Sequence, residues 1–356
     1  MNKYLSDKLK SISFVLMVMV VFLHSYNVGI KYNTEIVQTD QDINWFLQNA
    51  ISKGFTIIAV PLFFIISGYL LFLNLTNGKL KTFLPKFKKR LKTLVVPYLF
   101  WSLYGLAFIF ILQTIPISRP YFNNELIVEY SLLKLLNAIF INPVPYQLWF
   151  VRDLIILILL SPILYRLIKV FKTISLVLFL CTWLFEFNFV IFSNEALFFF
   201  TVGLYIAINK ISLYQPILKK NYALLILFWI TIVLVKTTLI LYKVENECII
   251  IGLNKLSILI GVLSLWGCYD YKFENTDISR SKIFPIFQYS FFLYAFHEPL
   301  LSIFRKGFQN LLGASEISSI SAYILAPIIT ILISITLAYF IKKNAHKLYS
   351  IITGGR

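Results

Sequence analysis

The segment SISFVLMVMVVFLHSYNVGI, residues 11–30, decides the class of this protein. It carries no Lys, Arg, Asp or Glu, and His24 is the one side chain that titrates near neutral pH. A helix needs about 20 mostly apolar residues to cross a hydrocarbon core of about 30 Å. The segment therefore predicts a membrane-spanning helix with a histidine inside it.

The composition of the whole chain agrees with that prediction. Of its 356 residues, 59% are hydrophobic and only 14% are charged, with a mean hydropathy of +0.79. Soluble domains have about 45–50% apolar and about 25% charged residues. This excludes a disordered protein and a soluble enzyme. We expect an all-α polytopic membrane protein, with residues 1–356 forming a single domain.

Nine further apolar segments resemble the first one in length and composition. The fifth and sixth are the weakest, because Glu186, Asn188 and Glu195 interrupt them. The sequence therefore predicts about ten transmembrane helices. The ten segments are 11–30, 54–73, 95–115, 148–166, 173–192, 195–208, 222–242, 248–267, 286–304 and 319–341.

The basic residues predict the orientation of these helices. Loops on one side of the predicted bundle, together with both ends of the chain, carry 23 of the 33 Lys and Arg residues. Because cytoplasmic loops are enriched in Lys and Arg, both termini are expected in the cytoplasm, and the protein in a cytoplasmic membrane. The net charge of +17 then reflects loop charge and contact with membrane lipid, and no nucleic-acid partner is expected.

Two outer loops are long enough to contain helices of their own. Residues 31–53 place Asp42 before apolar residues at helical spacing, which predicts a capped helix. Residues 116–147 predict a short amphipathic helix at the membrane interface. These loops either cover a site or serve only in packing.

The three cysteines do not suggest a redox or metal site. Cys181, Cys248 and Cys268 are far apart and have no histidine beside them. We expect them to be buried as small hydrophobic residues, with neither a disulfide nor a metal.

Five ionisable side chains lie at similar depth in the predicted outer half of the membrane. His24 is about 20 Å from the cytoplasmic face, His297 and Glu298 are about 17 Å from it, and Arg152 and Asp153 lie about 7–9 Å below the outer face. Ionisable groups inside a membrane are costly and often functional. These five residues are the candidate catalytic group.

Each of these residues also has a purely structural interpretation. Under that interpretation, each histidine serves only to hydrogen-bond a neighbouring helix, and Glu298 either forms a kink with Pro299 or is the partner of Arg152. Arg152 and Asp153 are adjacent, so they point about 100° apart on a helix. We therefore expect each of them to find its partner elsewhere.

A cluster of basic residues precedes the third predicted helix. The cluster either orients the helix and attracts anionic lipid, or binds the phosphates of a cytoplasmic ligand. Seven basic residues in residues 74–94 exceed what orientation requires, which favours the phosphate site. The residues assigned to it are Lys86, Lys88, Lys89, Arg90 and Lys92.

Five motifs in order resemble the membrane-bound acyltransferase 3 family, bacterial proteins that O-acylate surface polysaccharides and related glycans. The resemblance extends over about residues 8–340. The motifs are VVFLHSYN (20–27), VPLFFIISGYLLF (60–72), KKRLKTLVVPYLFW (88–101), LWFVRDLIILILLSPIL (148–164) and SFFLYAFHEPLL (290–301).

The resemblance implies roles for particular residues. His24 matches the family histidine that is tied to acyl transfer, and the pair Lys89 and Arg90 matches the basic pair on the side where cytoplasmic acyl-CoA arrives. Phe63, Phe64, Ser67 and Gly68 match a Phe-rich Ser-Gly segment, whose small pair allows close helix packing.

One position departs from the family pattern. Many members have an arginine eleven residues before the histidine, and this chain has Ser13 there. The nearest basic residue is Lys10. Either Lys10 substitutes for the arginine or this chain lacks the contact.

The expected function is integral-membrane O-acyl transfer. An acyl group, with acetyl the first expectation, would move from cytoplasmic acyl-CoA (acetyl-CoA) to a hydroxyl of a cell-surface or lipid-linked glycan. His24 would act as the base, Arg152 or backbone N–H groups would stabilise the oxyanion, and Glu298 or Asp153 would orient a histidine. Direct transfer and a transient acyl-histidine both remain open.

The alternative function is that of a secondary transporter or glycan exporter. Such a protein would use the same outer-half cluster as a proton or substrate pathway. A requirement for acyl-CoA separates the two functions.

Overall fold

The computed structural model describes residues 2–32, 35–38, 43–75, 77–122, 125–187, 189, 191–244, 246–313 and 315–355. For residues 29–32 and 35–38 only the backbone is described. These parts of the chain form helices almost throughout, so the predicted all-α class is confirmed. Asp42 and Asn188, which the sequence singles out, lie outside the described residues.

Fifteen α-helices follow one another along the described parts of the chain. The first seven are α1 (Lys3–His24), α2 (Ile43–Ala50), α3 (Ala59–Phe72), α4 (Leu80–Arg90), α5 (Val96–Thr114), α6 (Leu132–Phe140) and α7 (Trp149–Phe171). The remaining helices are α8 (Thr173–Leu184), α9 (Asn194–Ile208), α10 (Pro216–Lys220), α11 (Tyr222–Leu241), α12 (Glu247–Phe273), α13 (Ser290–Leu312), α14 (Glu316–Asn344) and α15 (His346–Thr353). Wide π-helical turns cover Ile51–Phe55 and Leu91–Val95. Shorter 3₁₀ turns cover Thr56–Ile58, Arg119–Tyr121, Ile127–Glu129, Tyr146–Leu148, Ile278–Arg280 and Phe284–Tyr289.

A small hairpin follows α1. Strand β1 (Gly29–Tyr32) pairs antiparallel with β2 (Glu35–Gln38), with Gly29 opposite Gln38. The sequence analysis did not predict it, because two strands of four residues give too short an alternation to stand out.

Six helical stretches in the described residues are long and apolar enough to cross a membrane, which makes this a multi-pass membrane protein. They are Ile43–Phe72, Leu80–Thr114, Tyr146–Phe171, Tyr222–Leu241, Glu247–Phe273 and Glu316–Asn344. Helices α8 and α9 are apolar but shorter, and α1 and α13, of 22 and 23 residues, carry charges. The total of ten spans and the cytoplasmic termini remain predictions.

The helical stretches that contain the second and third predicted spans begin before those spans. Helix α2 continues into α3, and α4 continues into α5, through the wide turns Ile51–Phe55 and Leu91–Val95. A π-helical turn adds a residue without ending the helix, so the helices that precede the two spans join them without a break.

Helix α2 packs inward mainly through amide side chains. Asn44 and Gln48 are fully buried, whereas Ile43 is 76% exposed. Gln48 Nε2 donates to Asn27 Oδ1 at 2.8 Å, and Asn44 Nδ2 donates to Ser319 Oγ at 3.0 Å. These bonds fix α2 to the residues that follow α1 and to the start of α14.

A buried ion pair joins the start of α1 to the end of α12. Lys8 Nζ lies 2.7 Å from Asp270 Oδ1, and both side chains are at most 1% exposed. Tyr4 donates its hydroxyl to the same carboxylate oxygen, and the Lys8 ammonium lies 3.8 Å from the centroid of the Trp266 ring. This contact places the N-terminal end of α1 and the C-terminal end of α12 at the same end of the bundle, opposite His24.

Helices α3 and α9 cross at two glycines, with each backbone packed directly against the other. A Cβ at Gly68 would lie 2.2 Å from the Phe200 carbonyl oxygen, and a Cβ at Gly203 would lie 2.1 Å from the Ile65 carbonyl oxygen. The Ser-Gly segment thus permits the close helix approach that the sequence predicts.

We predict that Gly68→Ala lowers the stability of the folded protein. The added methyl group meets backbone, which cannot rotate away, and overpacking of this kind costs about 1–3 kcal/mol. The thermal unfolding midpoint in detergent should fall. Gly252→Ala in α12 is the matched control, because its Cβ would have no neighbour within 4 Å. Equal midpoints for the two variants would contradict the close α3–α9 contact.

Candidate active site

Two histidines meet where α1 ends against α13. His24 Nδ1 lies 2.9 Å from His297 Nε2, and the two rings stack with their centroids 5.2 Å apart. His297 is fully buried, whereas His24 keeps part of its surface accessible. The structure therefore brings together two of the predicted catalytic residues, which are 273 positions apart in the sequence.

The backbone of α13 determines which nitrogen of His297 carries hydrogen. His297 Nδ1 lies 2.7 Å from the Tyr294 carbonyl oxygen and 3.3 Å from the Leu293 carbonyl oxygen. A carbonyl oxygen can only accept, so Nδ1 is the donor. In a neutral His297 ring, Nε2 then has a lone pair and accepts from His24 Nδ1–H.

The direction of these hydrogen bonds leaves a free lone pair on His24. When His24 Nδ1 donates to His297, the neutral His24 ring carries its lone pair on Nε2. No described residue hydrogen-bonds to that nitrogen, and the His24 ring lines an internal cavity. The pair thus presents one unoccupied imidazole nitrogen as a potential general base.

A kink in α13 is stabilised by the segment before α7. Glu298 has φ −108° and ψ 136°, so the helix is interrupted immediately before Pro299. Gln147 Nε2 donates to the Ala295 and Glu298 carbonyl oxygens, each at 3.3 Å. Tyr146 donates its hydroxyl to Glu298 Oε1 at 3.2 Å. The Glu298 side chain therefore supports the kink, and backbone carbonyls, not a carboxylate, orient His297.

Arg305 stabilises the other side of the histidine pair. Its Nη1 donates to the His24 and Tyr26 carbonyl oxygens at 3.1 and 3.0 Å. A guanidinium at the C-terminal end of a helix satisfies carbonyls that lack intrahelical partners. Arg305 thus fixes the end of α1 on which His24 lies.

A cavity of about 510 Å³ connects this pair to the opposite end of the bundle. Ser13 and His24 both line it, and they are about 17 Å apart along α1 at a helical rise of about 1.5 Å per residue. Arg90 lines it as well, next to the start of α5. Most of the wall between is apolar, with Met17, Val20, Phe63, Ile66, Leu94, Phe150, Leu154 and Phe291 among its residues.

Arg152 and Asp153 do pair with each other, which corrects the sequence prediction. Arg152 Nε and Nη2 lie 3.0 and 2.8 Å from Asp153 Oδ1, because the long arginine side chain folds back over the helix. Arg152 Nη1 also donates to the Ile141 carbonyl oxygen at 2.9 Å, and Asp153 Oδ2 accepts from the Ser193 N–H at 2.9 Å.

The Arg152–Asp153 pair therefore connects the start of α7 to the residue before α9 and to the segment after α6. Neither side chain lines the cavity. Arg152 is thus not placed to stabilise an oxyanion there, and Asp153 does not contact either imidazole in the described structure.

The five predicted phosphate-binding residues occupy different environments. Arg90 lines the cavity, and Lys86 Nζ donates to the Leu71 and Leu73 carbonyl oxygens at the end of α3. Lys88, Lys89 and Lys92 are exposed. The structure brings only one of the five, Arg90, to the cavity that contains His24.

Sequence reasoning missed Tyr146, Gln147, Tyr294 and Arg305. Uncharged side chains beside a predicted span give no signal of their own, and Arg305 follows the predicted end of the ninth span by one residue. The kink at Glu298–Pro299 was the available signal, since freed carbonyls require donors from a neighbouring segment.

The three cysteines are free, and the expectation that they are buried is wrong: Cys248 is exposed, and Cys181 and Cys268 are only half-buried. Cys248 lies in the first turn of α12, where the helix end is open to its surroundings. Within the described parts of the chain, no three His, Cys, Asp or Glu residues are grouped to hold a metal ion.

Comparison with known proteins identifies the family. The model of the acyltransferase 3 family, which is described as an acyltransferase domain, matches residues 11–339, nearly the whole chain. The chain belongs to this family, so the protein is a membrane acyltransferase. The match includes His24, His297 and Arg90.

The chain is also similar to a curated protein of known name. It is 24% identical over 303 residues to the succinoglycan biosynthesis protein ExoH of Rhizobium meliloti. The aligned region covers 84% of this chain and 79% of ExoH. No solved structure matches the chain.

We predict that Asp153→Asn lowers stability without lowering the turnover of the folded protein. Losing a charge-assisted hydrogen bond costs about 1.5–3 kcal/mol, and the residue lies outside the cavity. Thermal unfolding in detergent and kcat per folded molecule measure the two effects. Asp277→Asn, which removes a carboxylate from the more exposed pair with Lys3, is the control. A large fall in kcat at unchanged stability would show that Asp153 acts in catalysis.

Proposed function

We propose that this protein transfers an acyl group, acetyl in the first instance, from cytoplasmic acyl-CoA to a hydroxyl of a cell-surface or lipid-linked glycan. The observation that carries the proposal is that Arg90 and His24 line the same cavity, Arg90 near one end and His24 near the other. The base and the phosphate-binding cation are separated by an apolar passage. This arrangement suits acyl-CoA, a long donor with a charged head at one end and a reactive thioester at the other.

On the donor side, Arg90 would hold a phosphate group of acyl-CoA. Guanidinium groups bind phosphate through parallel charge-assisted hydrogen bonds. The apolar wall formed by residues such as Met17, Phe63 and Leu154 would accommodate the pantetheine arm. The exposed Lys88, Lys89 and Lys92 would add long-range attraction for the phosphates and for anionic lipid.

On the acceptor side, His24 Nε2 would take the proton of the attacking hydroxyl. The oxygen attacks the thioester carbonyl, and the tetrahedral intermediate collapses with cleavage of the C–S bond. The imidazolium then returns its proton to the departing thiolate, which gives the O-acyl product and free CoA. His297 would accept the His24 Nδ1 hydrogen bond throughout and hold the ring in this orientation.

The proposed glycan acceptor rests on a relative of the chain. ExoH is named for the biosynthesis of succinoglycan, a polysaccharide. A secondary transporter or exporter, the alternative that the sequence left open, would not require an acyl donor, and membership of the acyltransferase 3 family disfavours it.

We predict that His24→Ala reduces the rate of CoA release from acetyl-CoA by about 10²–10⁴-fold, because it removes the general base. Acetyl-CoA affinity should stay within about twofold of wild type, since His24 is not placed among the phosphate ligands. Turnover is measured by thiol release from purified protein in detergent, and affinity by calorimetry.

His346→Ala, at the exposed first residue of α15, is the matched control and should leave both quantities unchanged. Full turnover in His24→Ala would contradict the assigned base. Folded wild-type protein that neither binds nor hydrolyses acetyl-CoA would contradict the acyltransferase proposal itself.

We predict that Arg90→Gln weakens acetyl-CoA binding about tenfold or more. A lost hydrogen bond to a charged group costs about 1.5–3 kcal/mol, and about 1.4 kcal/mol corresponds to a factor of ten in affinity. The neighbouring Lys89→Gln removes the same charge from an exposed position and should change the Kd by less than about threefold. Equal effects of the two variants would place the donor phosphates outside the cavity.

A further inference from the structure

Two polar side chains that line the cavity have no part in the site described above. Glu195 is the second residue of α9, and Asn254 lies in the third turn of α12. Both line the same cavity as His24. Sequence analysis treated Glu195 only as an interruption between two spans.

Glu195 lies at the His24 end of the cavity. The Asp153 carboxylate accepts from the N–H of Ser193, so α7 and α9 begin at the same end of the bundle. Tyr146, three residues before α7, has its ring edge against His24, with centroids 4.9 Å apart. The starts of both helices are therefore beside the histidine pair, and Arg90 is at the opposite end.

The Asn254 amide is oriented by a buried lysine. Lys236 Nζ donates to Asn254 Oδ1 at 2.7 Å and to the Lys53 carbonyl oxygen at 2.5 Å, and Lys236 is 3% exposed. A lysine can only donate, so the carboxamide oxygen faces Lys236. Asn254 Nδ2 is thereby turned away from Lys236, and none of the described residues accepts a hydrogen bond from it.

The Glu195 carboxyl group is held through one of its two oxygens. Trp183 Nε1 donates to Glu195 Oε2 at 3.3 Å. Lys255, whose ammonium lies 4.8 Å from the Trp183 ring centroid, forms its ion pair with Glu186 at 3.2 Å. Glu195 Oε1 has no hydrogen-bond partner in the described part of the chain.

We propose that Glu195 and Asn254 bind hydroxyl groups of a neutral saccharide acceptor. Together they present one free acceptor oxygen and one free amide donor, which suits hydroxyls that both donate and accept. The Trp149 indole, on the same cavity wall, adds an aromatic surface on which a sugar ring packs. This assignment rests on the proposed function and specifies which wall of the cavity selects the acceptor.

The charge distribution favours the acceptor over the donor at this position. Among the described residues that line the cavity, the acidic side chain is Glu195, at this end, and the cationic one is Arg90, at the other end. Three cations lie behind this end but do not line it: Lys236 is bound to Asn254, Lys255 to Glu186 and Arg305 to the His24 carbonyl oxygen. The surface that faces a ligand here therefore offers the phosphates of acyl-CoA no cation. The Glu195 carboxylate also disfavours an acceptor with an anionic group next to its reacting hydroxyl. A neutral polyhydroxylated ring agrees with both constraints.

The test compares Glu195→Gln and Asn254→Asp with wild type in the purified full-length protein. Glu195→Gln keeps the shape and a carbonyl oxygen for Trp183 but removes the charge. Asn254→Asp keeps an oxygen for Lys236 but replaces the free amide donor with an acceptor. Glu247→Gln, in the exposed first turn of α12, is the matched control.

The rate of CoA release from acetyl-CoA is measured for each protein under two conditions. The basal rate is taken with water as the only acceptor, and the second rate is taken with a methyl glycoside of glucose, galactose, mannose or N-acetylglucosamine at high millimolar concentration. The expected result is stimulation of wild type by at least one glycoside, with mass spectrometry showing the acetylated sugar. Both variants should then show an acceptor KM about tenfold or more above wild type, with basal release and donor KM unchanged.

Other outcomes overturn the proposal. Wild-type protein that releases CoA in water but is stimulated by none of the glycosides would refute a neutral saccharide at this wall. Loss of basal release in both variants would place Glu195 and Asn254 in donor binding or folding instead. Folded wild-type protein that does not bind acetyl-CoA and releases no CoA, with or without a glycoside, would refute the proposed acyl transfer rather than the acceptor assignment.

Discussion

The hydrogen bond between His24 and His297 is the contact on which the candidate site depends. It joins the end of α1 to the middle of α13, and its direction is set by the carbonyl oxygens of Tyr294 and Leu293. Because His297 must donate to the backbone, His24 must donate to His297, and its remaining nitrogen is left free for chemistry. The kink at Glu298, the Gln147 bridge and the Arg305 cap hold the two helices in register for this bond.

The cavity between the helices suits the proposed transfer within a membrane. Among the residues that line it, Arg90 lies near one end and Glu195 at the other, and an apolar wall lies between. A donor made in the cytoplasm and an acceptor presented on the outer side could then approach the same imidazole from opposite directions. Helix α1, with its buried Lys8–Asp270 pair at one end and His24 at the other, spans that separation.

The sequence predicted the residue types of the site better than their roles. Apolar length located the long helices, and the rarity of charge within them singled out His24 and His297. The pairing of Arg152 with Asp153 was not predicted, because spacing on an ideal helix ignores how far an arginine side chain can fold back. Gln147 carries no sequence signal, since its function comes from carbonyls freed by a kink in a distant helix. The inward amides of α2 likewise follow from their partners Asn27 and Ser319.

The measurement that tests this account most directly is a cryo-electron microscopy structure with a non-hydrolysable thioether analogue of acetyl-CoA. The account predicts that the analogue occupies the cavity, with a phosphate group at Arg90 and the acyl carbonyl carbon within about 3.5 Å of an oxygen or water held by His24 Nε2. An analogue bound elsewhere, or one whose acyl end points away from the histidine pair, would contradict it.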